Sequence, residues 1–148
     1  MRAAVLLACR IALGALFVWA AVTKLPDMAA FAQDVANYRI LPAAVVPYAA
    51  AAVVGIEILA GLALVTGIAA RPAAILVAVL LVAFTAFLAQ ALLRGIDLRC
   101  GCFGGDEAAS WWTVVRDLIM LAAAVAVIRG KAGDTTRIDH AKAATGHD

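Results

Sequence analysis

The sequence predicts an all-α integral membrane protein: a four-helix bundle with a short interfacial amphipathic helix between helices 1 and 2. Of its 148 residues, 66% are hydrophobic and 15% are charged, whereas soluble domains have about half and about a quarter. The apolar excess falls in four runs, each near the roughly 20 residues that cross a bilayer core. One membrane domain over residues 1–129 follows, with the lipid bilayer as its surroundings. The net charge of +2 is small and scattered, so nucleic-acid binding has no support.

The first run, residues 3–22, predicts a retained spanning helix. It begins like a secretory signal peptide, but Arg10 interrupts the apolar stretch, which then continues past any small-residue cleavage site. Cys9 is interpreted as a small core residue. The next stretch, about residues 28–41, predicts the short amphipathic helix, because Phe31, Val35 and Tyr38 recur at helical spacing among polar residues.

Three further spanning helices are predicted over residues 45–69, 72–93 and 113–128. The second carries small-residue pairs such as Ala51/Gly55, which let helices approach closely in lipid. Pro72 suits the first turn of the third helix, and Trp111 and Trp112 predict an interfacial belt before the fourth. The polar tail, residues 130–148, is predicted to be disordered.

The distribution of basic residues predicts the orientation. Four spanning helices put both termini on one side, together with the Arg71 turn. That side carries six basic residues: Arg2, Arg71, Arg129, Lys131, Arg137 and Lys142. The other side carries four: Lys24, Arg39, Arg94 and Arg99. The positive-inside rule therefore predicts cytoplasmic termini and, in a bacterial inner membrane, a periplasmic loop around Cys100 and Cys102.

The sharpest motif is Cys100-Gly101-Cys102-Phe103-Gly104. Two cysteines one residue apart close only a small, strained disulfide ring, which is easily reduced. Gly101 allows the unusual backbone angles of such a ring, and Arg99 favours the thiolate. We therefore interpret Cys100 and Cys102 as a redox-active dithiol, with Phe103 and Gly104 supporting the loop.

Other interpretations of this motif stay open: a structural disulfide, part of a metal site, or inert thiols in a turn. A metal would need further ligands, and both histidines, His140 and His147, lie in the tail. Cys9 lies about 20 Å from the end of its helix near Lys24. It is therefore too far away to pair with the other two cysteines.

Four charged residues fall inside the predicted spans: Arg10, Glu57, Arg116 and Asp117. Each is costly in lipid unless it is paired, so all four are expected to face the bundle interior. Arg10 has a side chain long enough to reach toward Glu57. The set predicts either a supporting polar pocket, which binds a quinone headgroup or relays protons, or interhelical ion pairs that fix the packing. Structural ion pairs are the commoner case.

These residues together resemble the MauE/DoxX family of small four-helix membrane proteins. The resemblance covers about residues 8–128, and its most specific part is the CGCFG stretch followed by Arg116-Asp117. It extends over the following positions: Arg10-Ile11, Gly14, Phe17, Lys24-Leu25, Asp27, Phe31-Ala32, Asn37-Tyr38, Leu41-Pro42, Glu57, Gly61, Gly67, Arg71 and Arg94-Gly95.

The resemblance implies a role in methylamine utilisation. The protein would take part in the maturation of the disulfide-rich subunit of methylamine dehydrogenase or of a similar client enzyme. It also implies a periplasmic thioredoxin-like (MauD-like) partner, with which Cys100 and Cys102 would exchange electrons. DoxX-type relatives imply an alternative, a quinone-linked oxidoreductase subunit in which the buried charges matter more than the thiols. A third hypothesis is a non-catalytic membrane anchor or assembly factor.

Overall fold

The computed structural model describes residues 2–95 and 110–130 of the chain. The predicted loop residues Arg99 to Gly104 and the tail from residue 131 onward lie outside the described residues. Within them, the fold is entirely helical, in the order α1 (Arg2–Lys24), a 3₁₀ turn (Leu25–Asp27), α2 (Met28–Asn37), α3 (Val46–Thr66), α4 (Ala70–Leu93) and α5 (Trp111–Arg129).

Four of these helices are long and apolar enough to cross a membrane, as the sequence predicted. Their most apolar windows have mean hydropathies between 1.8 and 2.6. Helices of this length can cross the hydrocarbon core with their interior backbone groups hydrogen-bonded within the helix, as a lipid environment requires. The described chain is therefore a multi-pass membrane protein of the predicted fold class.

The four spanning helices form a ring in which α1 and α4 each pack against both α3 and α5. One end of the bundle is formed by Lys24, Val46, Leu93 and Trp111. We name it the cysteine end, because residues 96–109, which include both loop cysteines, join α4 to α5 there. The opposite end, where α1 begins and α5 ends, is the tail end.

The short helix α2 covers the cysteine end of α1 and α3. The Asp27 carboxylate caps it by accepting a hydrogen bond of 2.8 Å from the backbone amide of Ala30. Phe31 is buried and packs with Ala21, Ala50 and Val54. The helix ends at Asn37, four residues before the predicted end, because the chain turns at Arg39, which has a left-handed φ of 53°.

The observed ends of the other helices differ from the predicted ends by at most three residues, and the predicted end of α4 at Leu93 is the observed one. The α3 helix ends at Thr66, since Gly67 adopts a left-handed φ of 82° and its amide donates to the Ala63 carbonyl. The α4 helix begins at Ala70, before Pro72. Proline is compatible with this position, because the first-turn amides of a helix have no intrahelical acceptor.

The α1 and α3 helices cross closely at Gly14 and Gly61. A Cβ atom added to Gly14 would lie 2.7 Å from the Gly61 carbonyl oxygen, and one added to Gly61 would lie 2.9 Å from the Gly14 carbonyl oxygen. Only glycine fits at both positions. The two helices therefore pack backbone to backbone, as small residues permit in lipid.

Candidate functional site

The structure brings together three of the predicted polar residues, Glu57, Arg116 and Asp117, and separates the fourth, Arg10. The loop residues Arg99, Cys100, Gly101, Cys102, Phe103 and Gly104 lie outside the described residues. Gly95 and Ser110, which flank them, lie at the cysteine end of α4 and α5. The described part of the site is therefore the charged cluster beneath that end.

Glu57 pairs with Lys24, a residue that the sequence analysis placed at the membrane interface. The Lys24 ammonium donates to both carboxylate oxygens of Glu57, each at 2.9 Å. The two side chains are 1% and 3% exposed. Removing two charges from water is costly, and only close pairing of this kind offsets the cost.

The α2 helix closes over this ion pair. The Lys24 Nζ atom lies 5.2 Å from the centre of the Phe31 ring, within the range of a cation–π contact. Phe31 is the buried residue of α2, so the short helix both shields the pair from water and contributes to holding the ammonium. The apolar face predicted for α2 therefore packs against the bundle through Phe31.

Asp117 forms the second buried carboxylate, on α5. Its Oδ1 atom lies 3.4 Å from the Nη2 atom of Arg116, and the two side chains are 3% and 28% exposed. This distance is longer than that of a good charged hydrogen bond, about 2.7–2.9 Å. Asp117 lies six residues after Trp111, the first residue of α5, which places it about 9 Å below the cysteine end.

A small cavity joins the two carboxylates at the centre of the bundle. It has a volume of about 20 Å³ and receives side chains from all four spanning helices. Its lining consists of Phe17, Ala20, Glu57, Leu81, Phe84, Asp117 and Met120. This volume suits a water molecule and has no room for a quinone ring.

Arg10 lies in a different part of the molecule from the position expected for a partner of Glu57. A Cβ atom added to Gly67 would lie 2.8 Å from the Arg10 Nη1 atom, so the guanidinium packs against the left-handed turn that ends α3. Gly67 is ten residues beyond Glu57, about 15 Å along the helix. Arg10 therefore serves the tail end, where a cation complements the partial negative charge of a helix C-terminus.

Lys24 is the residue that sequence reasoning missed. It ends the first helix, and a terminal lysine in a membrane protein ordinarily extends toward the headgroups. A signal was present, since a carboxylate in a span needs a cation, but several basic residues met that condition. Only the antiparallel packing of α1 on α3 shows that Lys24 turns inward.

A larger concavity lies outside the bundle, between α2 and the start of α3. This α2–α3 groove has a volume of about 710 Å³ and is lined by small apolar side chains and one amide. Its lining consists of Met28, Ala29, Ala32, Gln33, Ala36, Ala43, Val46, Pro47 and Ala51. Binding sites for small ligands have comparable volumes and similarly apolar walls.

Comparison with known proteins identifies the family. Residues 2–130 match the family model described as methylamine utilisation protein MauE. The chain belongs to the MauE family. The resemblance inferred from the sequence is thereby confirmed.

A curated MauE relative supports the same assignment. The chain is 40% identical over 129 residues to the methylamine utilization protein MauE of Paracoccus denitrificans, an alignment that covers 85% of this chain and 69% of the relative. No solved structure matches the chain. The four-helix arrangement and the Lys24–Glu57 pair are therefore described from the structure of this chain alone.

Proposed function

We propose that this MauE-family protein is a membrane thiol–disulfide redox protein, in which Cys100 and Cys102 are the reacting pair. The pair exchanges electrons with a periplasmic thioredoxin-like protein during disulfide formation in methylamine dehydrogenase or a similar client. The observation that carries the proposal is the Cys100-Gly101-Cys102 motif in a chain of this family. Arg99, Gly101, Phe103 and Gly104 support the loop in this proposal.

The exchange conserves electrons and protons between the two proteins. A thiolate of one protein attacks the disulfide of the other, and a mixed disulfide forms. The second cysteine of the attacking pair then resolves it. Each full exchange oxidises one dithiol and reduces one disulfide, so two electrons and two protons pass from the dithiol protein to the disulfide protein.

Cys9 supports the need for an external partner. It is a free thiol, partly buried against the core of the bundle. It lies fifteen residues before Lys24, about 22 Å from the cysteine end at helical rise. The loop cysteines therefore form the only pair that the sequence offers, and a second protein must supply or accept the electrons.

The buried Lys24 strengthens the proposed orientation, with cytoplasmic termini in a bacterial inner membrane. An ammonium held inside the bundle by Glu57 does not act as a loop charge. The basic residues then number six on the side of the termini against three on the other. Labelling of intact cells with an impermeant maleimide tests this, since the loop cysteines should react from outside after reduction.

Trapping of the mixed disulfide tests the redox proposal. Cys100→Ser and Cys102→Ser variants of the full chain are expressed with the partner system and separated on non-reducing gels. At least one variant should accumulate a covalent adduct with a thioredoxin-like protein, because the resolving thiol is missing. Cys9→Ser is the matched control, and it should behave as the unmodified protein.

Two outcomes would overturn the redox proposal. One is the absence of any adduct with either variant, together with normal client maturation in the double cysteine variant. The other is normal partner binding and maturation without either thiol, which would identify the protein as a membrane anchor or assembly factor.

A second candidate function is a quinone-linked oxidoreductase subunit of the DoxX type. The observation that favours it is the α2–α3 groove, which has the volume and apolar walls that an aromatic lipid requires. The central cavity between Glu57 and Asp117 is too small for this purpose. If a quinone binds, the groove is therefore the site. The buried residues Glu57 and Asp117 do not line this groove.

A photoreactive quinone analogue distinguishes this candidate. Ala36→Trp fills the groove and should abolish labelling if the groove is the site. Val79→Trp adds the same ring on an exposed face of α4, where Val79 is 60% exposed, and should leave labelling unchanged. Equal labelling of both variants, or no labelling of the native protein, would count against a quinone function.

A further inference from the structure

The lining of the central cavity includes one carboxylate residue from each of two ion pairs. Lys24 and Glu57 lie on one side, from α1 and α3, and Asp117 with Arg116 lies on the other, from α5. The α4 helix contributes only Leu81 and Phe84 to the wall. Glu57 and Asp117 line the same space, and its other lining residues are apolar.

Asp117 is deeply buried, and its contact with Arg116 is long. The residue is 2% exposed, and the ion-pair contact that the described residues give it is the 3.4 Å approach of Arg116 to Oδ1. The described residues give Oδ1 this one long contact, and Asp117 also belongs to the lining of the cavity. An ionised carboxylate has about four acceptor sites, and leaving them unfilled in the interior costs considerable free energy. A donor is therefore expected in the cavity.

We propose that the cavity binds one water molecule, which donates one hydrogen bond to Asp117 and one to Glu57. The cavity volume of about 20 Å³ exceeds the roughly 10–15 Å³ that a buried water needs. Each oxygen of Glu57 accepts from Lys24 but retains a further lone pair. The water thereby joins Lys24, Glu57, Asp117 and Arg116 into one network.

The charges favour a neutral occupant over a metal cation. Lys24 and Arg116 carry two positive charges, and Glu57 and Asp117 carry two negative charges, so the cluster is formally neutral. A cation added to it would be an uncompensated charge in a low-dielectric interior. Water supplies the missing donors without adding charge.

The direct test is an experimental structure of the full chain in lipid, at a resolution that shows ordered waters. The expected result is a single peak within hydrogen-bond distance of both carboxylates. An empty cavity overturns the proposal. A peak at the shorter distances of a coordinated metal ion, with ligands drawn in around it, overturns it as well.

A double-mutant cycle provides an independent test. Glu57→Gln and Asp117→Asn are measured singly and together by thermal unfolding. The bridging water predicts that the double variant loses less melting temperature than the two single losses added. Thr66→Val replaces Glu57→Gln in the control cycle, because Thr66 lies at the tail end of α3 with its hydroxyl bonded to Leu62. That cycle should be additive.

Filling the cavity separates a water bridge from a direct charge effect. Ala20→Val adds two methyl groups to the cavity wall, where Ala20 is 4% exposed. The same cycle in this background should become additive, because the water has been displaced. Persistent coupling in the filled background, or additivity in the native background, contradicts the proposal. If Ala20→Val does not fold, the lipid structure still decides.

Discussion

The two halves of the bundle join the same pair of helices by different means. Nearer the tail end than the ion pair, α1 meets α3 at Gly14 and Gly61, where the backbones approach so closely that no side chain fits. Toward the cysteine end, α1 and α3 are joined by Lys24 and Glu57, whose charged atoms lie 2.9 Å apart. At the glycines the two helices are held by close packing. At Lys24 and Glu57 they are held by a buried ion pair that α2 covers.

The difference shows where polarity is concentrated in this membrane protein. In lipid, close packing alone holds two helices together and leaves no space for a ligand. Buried charges contribute little net stability, since desolvation offsets their attraction, yet they occur beneath the end that carries the cysteine loop. The glycine crossing therefore acts as the scaffold, and the half near the cysteine end carries the ionisable groups beneath the cysteine loop.

The largest predicted effect is the loss of one partner of the ion pair. Glu57→Leu leaves the Lys24 ammonium buried without its carboxylate and should lower the free energy of unfolding by about 3–5 kcal/mol. Equilibrium unfolding in mixed detergent micelles measures the loss. The double variant Lys24→Met with Glu57→Leu removes both charges and should recover most of the stability. A double variant as unstable as the single one would show that packing, not charge, dominates here.

The next effect belongs to the glycine crossing. Gly61→Ala places a Cβ atom 2.8 Å from Val18 and 2.9 Å from the Gly14 carbonyl, so α1 must shift. Overpacking of this kind costs about 1–3 kcal/mol. Gly55→Ala is the matched control on the same helix, since its Cβ would meet nothing within 4 Å. Thermal melting should separate the two variants, and equal melting temperatures would contradict the close crossing.

A somewhat smaller loss of stability is expected at the turn that contacts Arg10. Gly67→Ala forces alanine into a left-handed conformation, at about 1–2 kcal/mol, and moves the Arg10 guanidinium. Gly95→Ala meets the same backbone strain, with a φ of 63°, but open space. The difference in melting temperature between the two variants therefore reports the Arg10 contact alone. If Gly95→Ala is the more damaging, Arg10 does not stabilise this turn.

The smallest predicted effect concerns Phe31 of α2, whose ring covers the Lys24 ammonium. Phe31→Leu keeps an apolar side chain but removes the ring that lies 5.2 Å from the ammonium. Loss of the cation–π contact should cost about 1 kcal/mol. In a background of Lys24→Met with Glu57→Leu, the same substitution should cost less, because no cation remains. An unchanged cost in that background would assign the effect to packing alone.

The predictability of each element depended on whether its cause was local. The spanning helices follow from runs of apolar residues, and α2 follows from the spacing of Phe31, Val35 and Tyr38. Helix ends were less accurate, because the left-handed turns at Arg39 and Gly67 are set by backbone geometry. Glu57 and Asp117 were recognisable as interior residues, since a charge in a span must avoid lipid.

The pairing of those charges required the tertiary structure. The sequence analysis named Arg10 as the cation able to reach toward Glu57, whereas Lys24 lies fourteen residues further along the same helix. The antiparallel register at Gly14 and Gly61 places Arg10 against Gly67 and leaves Lys24 within reach of Glu57.

The amino-acid sequence by itself determined that this is a four-helix membrane protein of the MauE family with a cysteine pair between its last two helices. These properties depend on composition, on local periodicity and on contiguous motifs, which need no knowledge of packing. Only the tertiary structure decided that Lys24 is buried, that Arg10 belongs to the other end, and that Glu57 and Asp117 face one small cavity. Those facts depend on which faces of distant helices meet, and in lipid that choice is made by close packing between small residues, which hydrophobicity alone does not encode.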